Sequence, residues 1–125
     1  MLTPGGSQKI FLSAEPVDMR AGFDRLAARV LASGMPLYEG DLYVFVSRRR
    51  THAKILAWDR NGLVLLYKRM ETGRFHLPEL PPGARTVRMD ATALAMLLDG
   101  IDIRQVRRSL SWSPGSKGID GAGAS

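Results

Sequence analysis

Three β-prone runs follow one another between residues 42 and 69 with very little chain between them: "LYVFVS" (42–47), "AKILAWD" (53–59) and "LVLLYKR" (63–69). β-Branched and aromatic residues dominate all three. A parallel return needs a crossover of about a dozen residues or more. The short connections therefore predict hairpins and an antiparallel meander. The first run is apolar on both faces. In the second, Ala53, Ile55 and Ala57 point one way and Lys54, Leu56 and Trp58 the other. "DRNG" between the second and third runs reads as a tight turn, with Asn61 and Gly62 taking the positive φ that a hairpin requires.

The flanking sequence supplies the layers that cover such a sheet. "KIFL" (9–12) is a short first strand. Met19, Phe23, Leu26, Ala27, Val30 and Leu31 recur at steps of three and four, an apolar helical stripe. Two starts fit that helix. Asp18 is an N-cap candidate, and Gly22, unfavourable inside a helix, allows a start near Phe23. Gly34 and Pro36 end it. Pro78, Pro81 and Pro82 keep the stretch after residue 70 out of a central strand. "RTVRMD" is strand-like. Asp90 caps a second helix carrying Leu94, Leu97 and Leu98, and Gly100 stops it. The expected fold is thus a single α+β domain over residues 9–112: a meander of about four to five strands with both helices packed on one face. Residues 1–8 read as a flexible N-terminus and 113–125 as a disordered Gly/Ser/Ala-rich tail.

Several classes of chemistry lack their residues. The chain has no cysteine, which removes disulfides, thiolate zinc sites and cysteine nucleophiles, and fits a cytoplasmic protein. There is no run of about 18 apolar residues and no signal-peptide pattern at the start. His52 and His76 lie too far apart in sequence for a helical ligand pair, and no phosphate-binding loop or nucleophile elbow occurs. Asp41, Asp59 and Asp90 could only serve a metal by converging. Each has a simpler role, at a strand entry, a hairpin turn and a helix cap. No cofactor, no metal and no catalysis are expected.

What the chain does have is localised positive charge. The formal net charge is +6, and residues 48–74 alone account for it, with eight Lys/Arg against Asp59 and Glu71. The remaining cations and acids cancel. Arg48, Arg49, Arg50 and Lys54 flank one strand, Lys68 and Arg69 end the next, and Arg74 follows. Cations at sheet edges often only prevent aggregation. Presented together on a rigid support they also make a phosphate-binding surface, arginine offering a two-bond fork. Trp58, Tyr67 and Phe75 are interleaved and could stack on bases, although Trp58 and Tyr67 fit a place in the core better. From the residues alone, DNA and an acidic protein face both stand as partners.

Four blocks carry a family resemblance: "DMRAGFD" (18–24), "RRRTHAKILAWD" (48–59), "LLYKRMETGRF" (65–75) and "LLDGID" (97–102). In this order they resemble the TnpB-type (Orf2) accessory protein of insertion sequences of the IS sixty-six family. The resemblance implies a bacterial mobile element, a role in assisting transposition, and catalysis by a separate DDE-type transposase. It also implies a second small partner with a helix-turn-helix. The leading expectation is a non-catalytic accessory protein that binds the element's DNA ends through Arg48, Arg49, Arg50, Lys54, Lys68, Arg69 and Arg74. The alternative is an adaptor that docks on the transposase without touching DNA.

Overall fold

The meander lies where the sequence puts it. In the computed structural model, which describes residues 8–102, β2 (Leu42–Val46), β3 (His52–Asp59) and β4 (Gly62–Arg69) pair antiparallel. They are joined to β1 (Ile10–Ser13) and β5 (Thr86–Met89) in one five-stranded sheet of order β4-β3-β2-β1-β5. The helices are α1 (Phe23–Ala32) and α2 (Ala91–Leu98), with a 3-10 turn at Leu37–Glu39. The α+β class stands. The flexible start and the tail expected from sequence lie outside the described residues, apart from Gln8, whose amide donates to the Gly40 carbonyl. Among the described residues no helix is long and apolar enough to cross a membrane.

Two particulars differ from the expectation. β1 runs parallel to β2, in the register Ile10 with Leu42 and Leu12 with Val44. The connection between them is long enough to hold α1, which returns the chain to the starting end of the sheet, and that return makes the pair parallel. The helices also lie on opposite faces rather than one. Leu26 and Val30 of α1 pack with Tyr43, Phe45 and Leu56. Ala93, Leu94 and Leu97 of α2 pack with Leu42, Val44, Val46, Ala53, Ile55 and Ala57. β2 is buried at every position, and a central strand apolar on both faces needs cover on both.

Local chemistry sets the element ends. α1 begins at Phe23 with Gly22 as an uncapped N-cap, the second of the two sequence-compatible starts. Asp18 instead shapes the preceding turn, accepting from the Arg20 N–H at 2.8 Å. Asp90 caps α2 by accepting from the Ala93 N–H at 2.7 Å. Gly100, with φ 77°, closes that helix. Its N–H donates to Leu97 and the Ile101 N–H to Met96, the paired bonds of a left-handed glycine cap. In the β3–β4 turn the positive φ falls on Arg60, at 58°, and not on Asn61 or Gly62. That is a two-residue turn with its first central position left-handed, the place where glycine is ordinarily preferred.

Candidate nucleic-acid interface

The sheet topology gathers five strand ends at one edge of the molecule: the C-terminal ends of β1, β2 and β4 and the N-terminal ends of β3 and β5. The β2–β3 turn projects there. Its frame is Ser47. The Ser47 carbonyl accepts from the Arg50 N–H and its N–H donates to His52, both at 2.9 Å. Its hydroxyl accepts from the N–H groups of Thr51 and His52 at 3.2 Å. Arg50 sits at φ 61°. The loop after β4 folds against this turn, with the Met70 N–H donating to Thr51 at 2.8 Å and the Phe75 N–H to Arg50 at 2.7 Å. Phe75 anchors that loop in the core at 0% exposure. Arg74 is therefore carried beside Arg50.

The seven expected site residues divide by this geometry. Arg48, Arg49, Arg50 and Arg74 are exposed and make no ion pair among the described residues. Arg69, at the same end, is exposed and pairs with Glu71 at 2.9 Å. The two lysines are engaged elsewhere. Lys54 is buried at 6% exposure, and its ammonium donates to the carbonyls of Met19 at 2.7 Å and Ala21 at 2.8 Å. The Tyr67 ring lies 4.7 Å from that ammonium. Lys68, on the other face, donates to the Leu98 carbonyl at the end of α2, where the helix dipole favours a cation. The two lysines are on adjacent strands but, one residue out of register, on opposite faces.

The structure adds groups that lie outside the basic segment in sequence. Arg85, exposed, opens β5 at this end, its carbonyl accepting from Ala14 at 2.9 Å. Arg20 is also exposed but held by Asp18 at 2.7 Å; that guanidinium keeps the Asp18 carboxyl well below the usual carboxylate range. A cleft of about 450 Å³ runs between the turn and the segment before α1, lined by Asp18, Ser47, Arg48, Arg49, Thr51 and His52 among others. Only the parallel crossover brings residues 16–20 here, so no local pattern could reveal them. Of the aromatics, Phe75 is core. Trp58 meets Tyr38 edge-on at 5.1 Å near the far end of the sheet. Tyr67, 53% exposed, lies by His52 at the basic end.

Asp41, Asp59 and Asp90 do not join the arginines. They occupy the opposite end of the sheet, where Asp41 accepts from the Lys9 N–H at 3.0 Å and Asp90 caps α2. Among the described residues no group of three His, Cys, Asp or Glu is arranged to hold a metal ion.

Four arginines thus stand at one end of the sheet, where Glu15, Asp18 and Glu71 also lie, and Asp41, Asp59 and Asp90 stand at the other. The family described as IS66 Orf2 like protein matches residues 8–108. The chain belongs to that family, the accessory proteins of an insertion sequence. It is similar to two proteins of Sinorhizobium fredii strain NBRC 101917 / NGR234. "Uncharacterized protein y4jC" is 31% identical over 109 residues, covering 86% of this chain and 92% of that one. "Uncharacterized protein y4hO" is 34% identical over 116 residues, covering 91% and 96%. No solved structure matches the chain.

Proposed function

We propose that this protein is a non-catalytic accessory factor in transposition that binds DNA through Arg48, Arg49, Arg50 and Arg74, with Arg69 at the rim. One observation carries the reading: these four guanidiniums share one end of the sheet, lack acidic partners among the described residues, and ride on a turn and loop bonded to each other. Pre-positioned forks of this kind suit phosphate oxygens. Lys54 and Lys68 drop out of the DNA-binding group, because their ammonium groups are occupied by carbonyls.

The test is affinity for duplex carrying the element's ends, followed by fluorescence anisotropy against salt. Four neutralised phosphates give a slope of log affinity on log salt of about −3.6. A flat response refutes the reading. The second reading, docking of the same arginines on an acidic face of the transposase, draws on exposed apolar groups, of which Tyr67 lies at the same end. Such apolar groups suit a protein surface better than phosphate. It predicts a complex with the transposase that survives nuclease treatment.

A further inference from the structure

α1 packs on β2 and β3 through Leu26 and Val30. Over the β1–β5 pair, on the same face of the sheet, a cavity of about 200 Å³ opens beside Arg29 and Val30. The register brings Phe11 and Ser13 of β1 to that face, next to Tyr43 and Phe45 of β2 and to Arg88 and Thr86 of β5. Tyr43 and Phe45 are buried, whereas Phe11 is only partly so. The Phe11 ring stacks with Tyr43, centroids 5.6 Å apart and planes 15° from parallel. The exposed Arg88 guanidinium lies 5.9 Å from the Phe11 centroid. Glu15 and Arg29 line the cavity and pair with each other at 3.3 Å. Arg85, also in the lining, is exposed and makes no ion pair among the described residues. Ser13 and Glu15 are shared with a neighbouring cavity that reaches Arg48 and Arg50. The aromatic cavity therefore adjoins the arginine end.

We propose that this cavity takes one unpaired nucleobase of DNA held at the arginine end, stacked against Phe11, with the adjoining phosphate on Arg85. The inference rests on the DNA-binding reading above and narrows its substrate to DNA with an unpaired end. Size and chemistry select a base. The volume lies below the roughly 300 Å³ at which drug-sized sites begin, which suits one ring system and not a dinucleotide cofactor. An aromatic ring with an arginine beside it is the stacking platform of single-strand binders. A base entering against Phe11 moves Arg88 outward, and its guanidinium then closes over the far face of the base. The Thr86 hydroxyl in the wall can donate or accept, so the site should tolerate any base. An apolar side chain from a protein would fill the aromatic floor and leave Arg85 without an anion.

The experiment is anisotropy titration of the full chain with a blunt duplex, the same duplex with a short single-stranded tail, and that tail made abasic. The two tailed DNAs carry the same phosphates and differ only in bases. The base-bearing tail should bind about tenfold more tightly than the abasic one. Phe11→Leu should bring that ratio to about one. A second measurement needs no variant. Iodouracil in the tail, irradiated in complex with the wild-type chain, should cross-link to the tryptic peptide 10–20, which contains Phe11. Base-bearing and abasic tails bound alike overturn this inference and leave the DNA-binding reading standing. No affinity for any of these DNAs overturns both. A preference for the base-bearing tail that persists in Phe11→Leu places the base elsewhere and overturns the inference. So does a cross-link confined to the peptide 61–68, which contains Tyr67.

Discussion

Arg50→Gly separates what the backbone wants from what the side chain does. Arg50 holds φ 61°, a left-handed conformation that is about 1–2 kcal/mol unfavourable for a residue with a Cβ. Glycine removes that strain. It also gives the unfolded chain more freedom, which offsets about 0.5–1 kcal/mol of the gain. The net expectation is a protein about 0.5 kcal/mol more stable, a rise in Tm of roughly 2–4 °C for a domain of this size. The turn should survive, because its bonds run through the Ser47 hydroxyl and backbone groups that glycine retains. Binding should move the other way. Glycine cannot neutralise the phosphate that Arg50 would meet, so the salt slope should fall from about −3.6 to about −2.7. The assays are thermal unfolding by circular dichroism and anisotropy titration of duplex at several salt concentrations. A Tm lowered by several degrees would show that the Arg50 side chain supports the fold. A stabilised variant with undiminished affinity and slope would remove this turn from the DNA interface.

Other outcomes follow from single groups. Lys54→Met leaves the Met19 and Ala21 carbonyls without their donor. It should lower unfolding free energy in urea by about 2 kcal/mol; a change within experimental error would mean water replaces the ammonium. Gly100→Ala must adopt φ 77° and would bring its Cβ within 2.8 Å of the Met70 methyl. A loss of about 1 kcal/mol is expected, and an unchanged urea midpoint would refute the cap. Tyr43 is buried, donates to the Pro36 carbonyl at 2.7 Å, and has its phenol pushed up to about 12, chiefly by burial and then by Asp41 and Glu39. The raised pKa means that its contribution is intact below the unfolded value of about 10 and is lost as pH climbs through the folded value. Stability should therefore fall between those values in the wild type and less so in Tyr43→Phe, as read from urea midpoints at alkaline pH.

The parts of this fold legible in the sequence are those fixed by neighbours in the chain. Runs such as "AKILAWD" state their own alternation, and Ala53, Ile55 and Ala57 do face away from Leu56. The parallel β1–β2 pair depends on where a long connection returns, which no local pattern records. The two-sided cover was present as a hint, because an all-apolar β2 cannot be half solvated. The "DRNG" turn misled for a specific reason. Asn61 and Gly62 can take positive φ, but the strand register closes the hairpin at Asp59 and Gly62 and leaves Arg60 in the strained position. At the candidate site, the sequence reading gave arginines and lysines one role, whereas the structure places Arg48, Arg49, Arg50 and Arg74 in solvent at one end and engages both ammonium groups with carbonyls. Formal charge does not distinguish an ammonium in solvent from one that closes a helix end.

That difference has a physical basis in the two side chains. A lysine ends in a compact group with three donors on a flexible stem, suited to several carbonyls converging at a chain reversal. Lys54 takes two carbonyls of the turn before α1, and Lys68 takes the last turn of α2. Each thereby ties β3 or β4 to a helix on a different face. "DMRAGFD" meets "AKILAWD" through Lys54, and "LLYKR" meets "LLDGID" through Lys68. Blocks that look like binding motifs because they are charged are thus partly stitches between distant segments. Arginine's planar fork suits two-bond recognition of anions. Once those stitches are subtracted, six arginines of the basic segment remain: Arg48, Arg49, Arg50 and Arg74 at one end of the sheet, Arg69 there but paired with Glu71, and Arg60 in the β3–β4 turn at the other end. A Lys54→Met protein should accordingly lose stability before it loses affinity for DNA, and Arg49→Ala should lose affinity with its stability unchanged.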